Sequence, residues 1–115
     1  MNNEIPVPDN VYDYVDTSHL IEDFVDTKDA LKKFIRVLKN GGNLILVFPD
    51  QPIYEVYCKN LGIPMNPYHI HPDMGYDFML KKLNEIPGIA YETLFSSNCE
   101  VDYSVVMVLK ITKQA

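Results

Sequence analysis

The chain has 115 residues, of which 47% are hydrophobic and 23% charged, a balance that indicates a folded globular protein and excludes a disordered or low-complexity chain. Its length matches one common domain, so we expect residues 1–115 to form a single domain. The formal net charge of −6 disfavours binding to nucleic acid, and the longest apolar run, residues 44–48, is far shorter than the ~20 residues of a membrane helix. Two cysteines, Cys58 and Cys99, are too few for a disulfide scaffold and predict free thiols in a reducing cytoplasm.

Acidic residues are concentrated at the start of the chain. Residues 1–30 carry eight Asp or Glu and one Lys, which gives this segment a charge of −7 and the remainder a charge of +1. Such a segment is usually a solvated surface, and the alternative is a surface that binds cations or a basic partner.

A short strand and an amphipathic helix come first in the chain. Residues 11–17 are rich in Val and Tyr and favour a strand, although Asp13 and Asp16 interrupt the pattern. Residues 27–39 predict a helix, because apolar side chains recur at helical spacing (Leu31, Phe34, Ile35, Leu38). Asp26 or Thr27 can cap its start, and residues 40–42, Asn-Gly-Gly, can supply the left-handed residue that closes it.

Residues 43–48 predict a strand that is apolar on both faces, so we expect helices to cover the sheet on each side, as in an α/β fold. A helix from Pro52 to about Asn60 follows, with Gly62 as its stop. After a proline-rich loop, residues 63–72, Asp73 can cap another helix, which ends before Pro87.

Residues 89–96 and 103–111 predict the last two strands. We expect a mixed sheet of four strands in which 11–17 and 43–48 are parallel neighbours, joined through helix 27–39. The last two strands should form an antiparallel pair.

The chain contains the segments VYDYVDTSHLIEDF (residues 11–24) and KKFIRVLKNGGNLILVFPD (residues 32–50). Together they resemble the second half of class I S-adenosylmethionine-dependent methyltransferases of types 11 and 12. In that family, a strand of the type "fDvVxxSHvLEH" is followed by a helix and the signature "RvLKpGGxlxlxxPd". The resemblance covers roughly residues 4–112. It implies a partial Rossmann-like methyltransferase fold with helices packed on the sheet, in which the last strand, 103–111, lies antiparallel between strands 43–48 and 89–96. It also implies methyl transfer from S-adenosylmethionine.

The first half of that family's fold has no counterpart here. Its members open with a Gly-rich G-x-G-x-G turn and an acidic residue for the ribose hydroxyls of the cofactor, whereas the five glycines of this chain do not make that spacing. We therefore expect the isolated chain to bind the cofactor poorly and to be inactive. Two hypotheses remain. The first is a methyltransferase-like domain that takes part in S-adenosylmethionine chemistry, alone or with a completing N-terminal half or partner chain that carries the Gly-rich turn. The second is a non-catalytic interaction module that keeps half of the fold.

The resemblance also implies a site at the end of the first strand. Thr17, Ser18 and His19 would lie beside the methionine part of the cofactor, and His19 would act as a base on the acceptor or shape its pocket. The alternative for His19 is a structural residue that hydrogen-bonds nearby backbone. The family has a histidine where this chain has Asp23, which leaves any role at that position open.

Tyr68, His69 and His71 lie in the segment that the resemblance assigns to the methyl acceptor. Because alternate residues of a strand point the same way, His69 and His71 are also a candidate metal pair. The sequence shows no third ligand at a telling distance, so we predict no metal site.

The missing half predicts self-association. Strand 11–17 would lie at an edge of the sheet, and absent helices would leave apolar faces of helix 27–39 and of the sheet exposed. We expect a homodimer or a chain that supplies the missing half. Asp13 and Asp16 oppose direct strand pairing across a two-fold axis, so face-to-face packing is the alternative arrangement.

Overall fold

The structure, a computed structural model, describes residues 7–67, 69–100 and 102–114. It has four strands, three helices and one short 3₁₀ turn at Ile21–Asp23. In chain order the elements are β1 Tyr12–Asp16, α1 Thr27–Val37, β2 Leu38–Pro49, α2 Gln51–Leu61, α3 Tyr76–Asn84, β3 Ile89–Asn98 and β4 Ser104–Lys113. Among the described residues, no helix has the length and apolar character needed to cross a bilayer.

The four strands form one mixed sheet in the order β1-β2-β4-β3. β1 and β2 are parallel, and α1 connects them. β4 is antiparallel to both of its neighbours. The expected sheet, with its last strand inserted between the second and the third, is confirmed.

Helix α1 begins with a cap and ends earlier than the sequence predicts. The Asp26 carboxylate accepts a hydrogen bond from the Asp29 backbone N–H at 3.0 Å, which satisfies one of the free donors at the helix start. The helix ends at Val37, and Leu38 already has extended backbone angles as the first residue of β2. The predicted end at residue 39 is therefore wrong by two residues.

The two consecutive glycines serve the sheet instead of closing the helix. Gly41 has a φ of +82° and lies inside β2, where the pairing jumps from Tyr12 with Leu38 to Tyr14 with Asn43. The extra residues of β2 form a bulge, and glycine takes the left-handed conformation there without a steric penalty. The residue that the sequence assigns to a helix cap is thus a residue of a bulged strand.

Most of the described buried hydrophobic side chains share one core on a single face of the sheet, and Val37, Tyr54 and Cys58 are buried outside that cluster. Leu44, Leu46 and Phe48 are completely buried and join a cluster with residues of α1 and α3. Ile45 and Val47, which alternate with them, are half-buried. The expectation that helices cover both faces is wrong, because α1 and α3 contribute their buried residues to this same cluster.

The exposed apolar surface also differs from expectation. The apolar side of α1 is buried in the core, through Leu31 and Phe34 among others, so α1 does not contribute the exposed face that the sequence predicts. Exposed apolar residues lie on the sheet, as expected, and on α2, where they were not expected. They include Ile53, Val56, Tyr57 and Leu61 of α2, Tyr14 of β1, and Leu94 and Phe95 of β3.

Two helix ends were predicted with different success. Gly62 follows α2 in the left-handed conformation, with a φ of +66°, as expected. Helix α3 begins after Gly75 and has no side-chain cap, so Asp73 does not cap it. The chain is nearly fully extended at Gly75, which moves the start of the helix two residues beyond the predicted cap.

Candidate functional site

The turn after β1 is held against the end of β2. Thr17 is buried, and its backbone N–H and its hydroxyl both donate to the Ile45 carbonyl oxygen, at 2.9 and 3.2 Å. The backbone N–H of Ser18 donates to the Asp16 carboxylate at 2.9 Å, and the Ser18 hydroxyl bonds to the same oxygen. The Thr17 hydroxyl is therefore engaged by β2, and the Ser18 hydroxyl by Asp16.

His19 combines an anchored backbone with an exposed ring. Its backbone N–H donates to the Val47 carbonyl oxygen at 2.8 Å, and its φ is +56°. A non-glycine residue in the left-handed region carries strain, and such strain concentrates at functional sites. The backbone anchoring expected of a structural histidine is present, and the imidazole faces a cavity.

This cavity, which we call the strand-end cavity, has a volume of about 190 Å³. It opens where β1 and β2 end, on the side of the sheet edge where parallel α/β folds bind ligands. Pockets that enclose drug-sized ligands usually measure about 300–1,000 Å³, so this one holds a small polar group and not a whole nucleoside cofactor. Its lining residues are His19, Glu22, Asp23, Pro49, Tyr54, Asn66, His69 and Tyr103.

Tyr54 of α2 fixes the far wall of the strand-end cavity. Its side chain is buried, and its hydroxyl accepts the backbone N–H of Asn66 at 2.9 Å. Its ring packs against the rings of His69 and Tyr103, with centroid separations of 4.7 and 4.8 Å. Tyr54 thus holds the loop that carries His69 against the rest of the site.

Three ionisable side chains converge on this cavity. The 3₁₀ turn Ile21–Asp23 fixes Ile21 in the core, and the next residue, Glu22, is only 4% exposed. Glu22 and Asp23 each offer a carboxylate oxygen, and His69 offers a ring nitrogen, all within 4.8 Å of one another. Within the described part of the chain, Glu22 Oε1, Asp23 Oδ1 and His69 Nδ1 are buried and have no hydrogen-bond partner.

Burial and mutual repulsion shift the pKa values of this group. Burial raises the pKa of Glu22, and the neighbouring Asp23 charge raises it further, against the opposing effects of its backbone hydrogen bond and of His19. Burial lowers the pKa of His69, and His19 adds to that effect while Asp23 opposes it. Burial therefore favours the neutral form of the His69 imidazole.

The structure separates the other predicted residues from this cluster. His71 Nε2 donates to the Phe24 carbonyl oxygen at 2.5 Å, and the His71 ring lies 5.6 Å from the Phe78 ring in a different cavity. His69 and His71 therefore do not face one site. Tyr68 lies outside the described residues.

Sequence reasoning selected His19 and His69 and missed the other cavity residues. Two features of the sequence could have indicated Glu22 and Asp23: their place in the acidic first segment and their position just after Ser18-His19. No sequence feature indicated Tyr54, Asn66 or Tyr103, because their contacts depend on how α2 and β4 pack.

A parallel strand pair with a site at its carboxyl end, extended by an antiparallel pair with the last strand inserted, defines the C-terminal half of a Rossmann-like methyltransferase fold. The YcgJ protein from Bacillus subtilis has a similar structure, with a TM-score of 0.64 and 13% sequence identity. The match covers 97% of this chain and 68% of YcgJ. At that identity it shows the fold alone.

The chain belongs to the ubiE/COQ5 methyltransferase family, whose sequence model matches residues 1–86. The ubiquinone/menaquinone biosynthesis C-methyltransferase UbiE of Vibrio cholerae is 36% identical over 72 residues, which are 63% of this chain and 27% of that protein. The demethylmenaquinone methyltransferase of Listeria monocytogenes is 27% identical over 94 residues, 76% of this chain and 40% of that enzyme. This chain thus spans less than half the length of these curated relatives.

Proposed function

We propose that this chain is the acceptor-side half of an S-adenosylmethionine-dependent methyltransferase and that another chain supplies the cofactor-binding half. The observation that carries the proposal is the strand-end cavity, which lies at the end of β1 beside His19, in a family whose named members are methyltransferases. The sulfonium cofactor is already reactive, so alignment with a desolvated acceptor supplies most of the rate. In that arrangement His19 and His69 shape the acceptor pocket, and His19 is the candidate base. The absence of disulfide-bonded cysteines fits a cytoplasmic site of action.

The residues present fit one end of S-adenosylmethionine only. The strand-end cavity is too small for the adenosine part, and no G-x-G-x-G turn occurs in the sequence. The hydroxyls of Thr17 and Ser18 are already bonded, to Ile45 of β2 and to Asp16, so we assign both residues to shaping the backbone beside the methionine part. The nucleoside would be held by residues of the completing chain.

A second copy or a completing chain would cover the open side of the sheet. β1 is an edge strand, and Ile45 and Val47 are half-buried on the face opposite the core. Phe95, which is 56% exposed, pairs with Val108 in register and so shares that face with Ile45 and Val108. An apolar strip across a sheet is a typical interaction surface.

The alternative function is a non-catalytic interaction or dimerisation module. The exposed apolar residues of α2, such as Val56 and Leu61, each more than half exposed, favour this reading. Such a module would use the same surfaces and would need no cofactor.

Cofactor binding separates the two functions. The isolated chain should give no heat when titrated with S-adenosylhomocysteine. A chimera would carry, ahead of this chain, the part of the Vibrio cholerae relative that precedes the matched segment. We expect this chimera to bind, and a ligand at one hundred times its Kd should stabilise it by about 2.7 kcal/mol. The unfused segment of the relative is the control. A folded chimera that shows no binding would leave only the interaction module.

Sedimentation equilibrium at micromolar concentration tests the self-association. We expect twice the 13.2 kDa chain mass. The variant Phe95→Ser should shift the equilibrium toward monomer. Val25→Ser, which changes an even more exposed side chain away from the sheet, should not. A monomer at every concentration would contradict the homodimer and leave the completing chain as the only partner.

A further inference from the structure

Three buried polar atoms meet in the strand-end cavity, and the described residues satisfy none of them. They are Glu22 Oε1, Asp23 Oδ1 and His69 Nδ1. Glu22 is 96% buried, since only 4% of its surface is exposed. Buried polar atoms are almost always hydrogen-bonded, so three orphans that face the same cavity require a common explanation.

The three side chains can be brought together as a ligand set. Each of them offers one ligand atom within 4.8 Å of the others. An ion about 2.0–2.2 Å from every ligand atom requires separations below about 4.4 Å, so the side chains must close slightly around it. Two negative carboxylates at this distance repel one another, and a cation between them reverses that repulsion. One divalent cation would give all three unpartnered atoms a partner and would offset the repulsion between the two carboxylates.

We propose that Glu22, Asp23 and His69 bind a divalent first-row transition metal ion in the strand-end cavity. One imidazole nitrogen and two carboxylate oxygens suit Zn²⁺, Co²⁺ or Mn²⁺, whereas Mg²⁺ and Ca²⁺ prefer oxygen alone. The described lining residues include no cysteine, so a soft thiolate site is excluded. The protein supplies three ligands, and the fourth position faces the cavity, where a water or an oxygen of a ligand can bind.

Supporting contacts hold the ligands in place. The ring of Tyr54 packs on His69, and its hydroxyl accepts the backbone N–H of Asn66 in the same loop. Ile21, completely buried, anchors the turn that carries both carboxylates. The metal site is independent of the proposed methyl transfer, and metal binding to this chain alone tests it.

Titration of the chelator-treated, tag-free chain with Co²⁺ tests the proposal, since mixed nitrogen and oxygen ligation gives visible d–d absorption bands. We expect one Co²⁺ per chain, displacement by Zn²⁺ and no displacement by equimolar Mg²⁺. His69→Gln should lower the affinity by about 100-fold or more, beyond the 10–100-fold cost of changing an outer hydrogen-bond partner of a ligand. His71→Gln, a change of the neighbouring histidine outside the cavity, should keep the affinity.

Asp23→Asn and Glu22→Gln complete the test, with Glu85→Gln as the exposed carboxylate control. Far-UV circular dichroism identifies variants that remain folded, and Asp23→Asn serves if Glu22→Gln does not fold. Loss of Co²⁺ binding in folded site variants, with the controls unchanged, supports the site. The proposal is overturned if the wild-type chain binds no Co²⁺, or if His71→Gln lowers the affinity as much as His69→Gln. Absence of Co²⁺ binding by the wild-type chain would mean that a shared proton or a water molecule bonds the three buried polar atoms.

Discussion

Gly42→Ala should detach the turn that carries His19 from β2. A Cβ at residue 42 would lie 2.9 Å from the carbonyl oxygen of Asp13 in β1 and 2.8 Å from Cδ1 of Leu38. Ordinary contacts begin at 3.4 Å, so the backbone of β1 must move by roughly 0.5 Å or the buried Leu38 must leave its position in the core. Because Gly42 has no positive φ, this cost is steric.

The steric cost determines how much Gly42→Ala lowers the free energy of unfolding. Overpacking of this kind costs about 1–3 kcal/mol, and the loss of glycine freedom in the unfolded chain returns about 0.4–1 kcal/mol. The net loss of about 1–2 kcal/mol lowers the folded-to-unfolded ratio roughly 5–30-fold. Since the clash is with β1, this strand should loosen before the rest of the sheet.

Urea unfolding and hydrogen exchange measure the two parts of this prediction. The backbone N–H groups of Thr17 and His19 donate to carbonyls of β2, so both should lose protection in Gly42→Ala. The control is Gly41→Ala, which meets only the flexible end of Lys110, at 3.9 Å, and whose cost comes from the left-handed backbone instead. Gly42→Ala with wild-type protection at Thr17 and His19 would refute the close-approach argument.

Three further changes test the core, the cavity wall and a thiol. Leu46→Asp should abolish the cooperative thermal transition, because an unpaired charge at a fully buried position costs several kcal/mol against a total of about 5–15; near-normal melting would mean that β2 is not central. Tyr54→Phe removes the hydroxyl that accepts the N–H of Asn66, so chemical denaturation should show a loss of about 0.5–1.5 kcal/mol, and an unchanged midpoint would contradict it. Burial, with repulsion from nearby carboxylates, raises the pKa of the Cys99 thiol above its usual 9.0. Its alkylation rate, followed by mass spectrometry, should therefore still increase with pH above 9 and should not level off there.

The sequence predicts the elements of this fold well where a local pattern or the family resemblance determines them. The helical stripe of α1 and the apolar run of β2 are local patterns, and both elements occur where expected. The insertion of β4 between β2 and β3 came from the resemblance to methyltransferases, because no local pattern states which strands pair. The end of α1 was misjudged for a physical reason: a glycine with positive φ serves a helix cap and a strand bulge equally well.

The candidate site was only partly predictable. His19 follows a strand end and His69 lies in the loop after α2, so the sequence could select each residue but not their meeting. Their convergence with Glu22 depends on Tyr54, which packs on His69 and accepts a hydrogen bond from the loop. The metal pair considered from sequence, His69 with His71, rested on strand alternation, and the described residues around them form a loop with no strand.

The acidic first segment explains why a cation is the natural occupant of the strand-end cavity. Several of its carboxylates are matched on the outside of the fold: Asp9 pairs with Arg36 at 2.7 Å, Asp13 with Lys39 at 3.3 Å and Asp29 with Lys33 at 3.1 Å. The Glu22 side chain is buried, and the carboxylates of Glu22 and Asp23 lie near each other and near the His69 ring. The solvated acidic surface thus describes Asp9, Asp13 and Asp29, and the cation site is our proposal for Glu22 and Asp23. On the outside of the fold, salt and water screen the carboxylate charges. Inside the cavity, the repulsion between the two carboxylates can be relieved by protonation, by water or by a bound cation. The unpartnered Nδ1 of His69 favours the cation, because a metal ion engages all three groups at once.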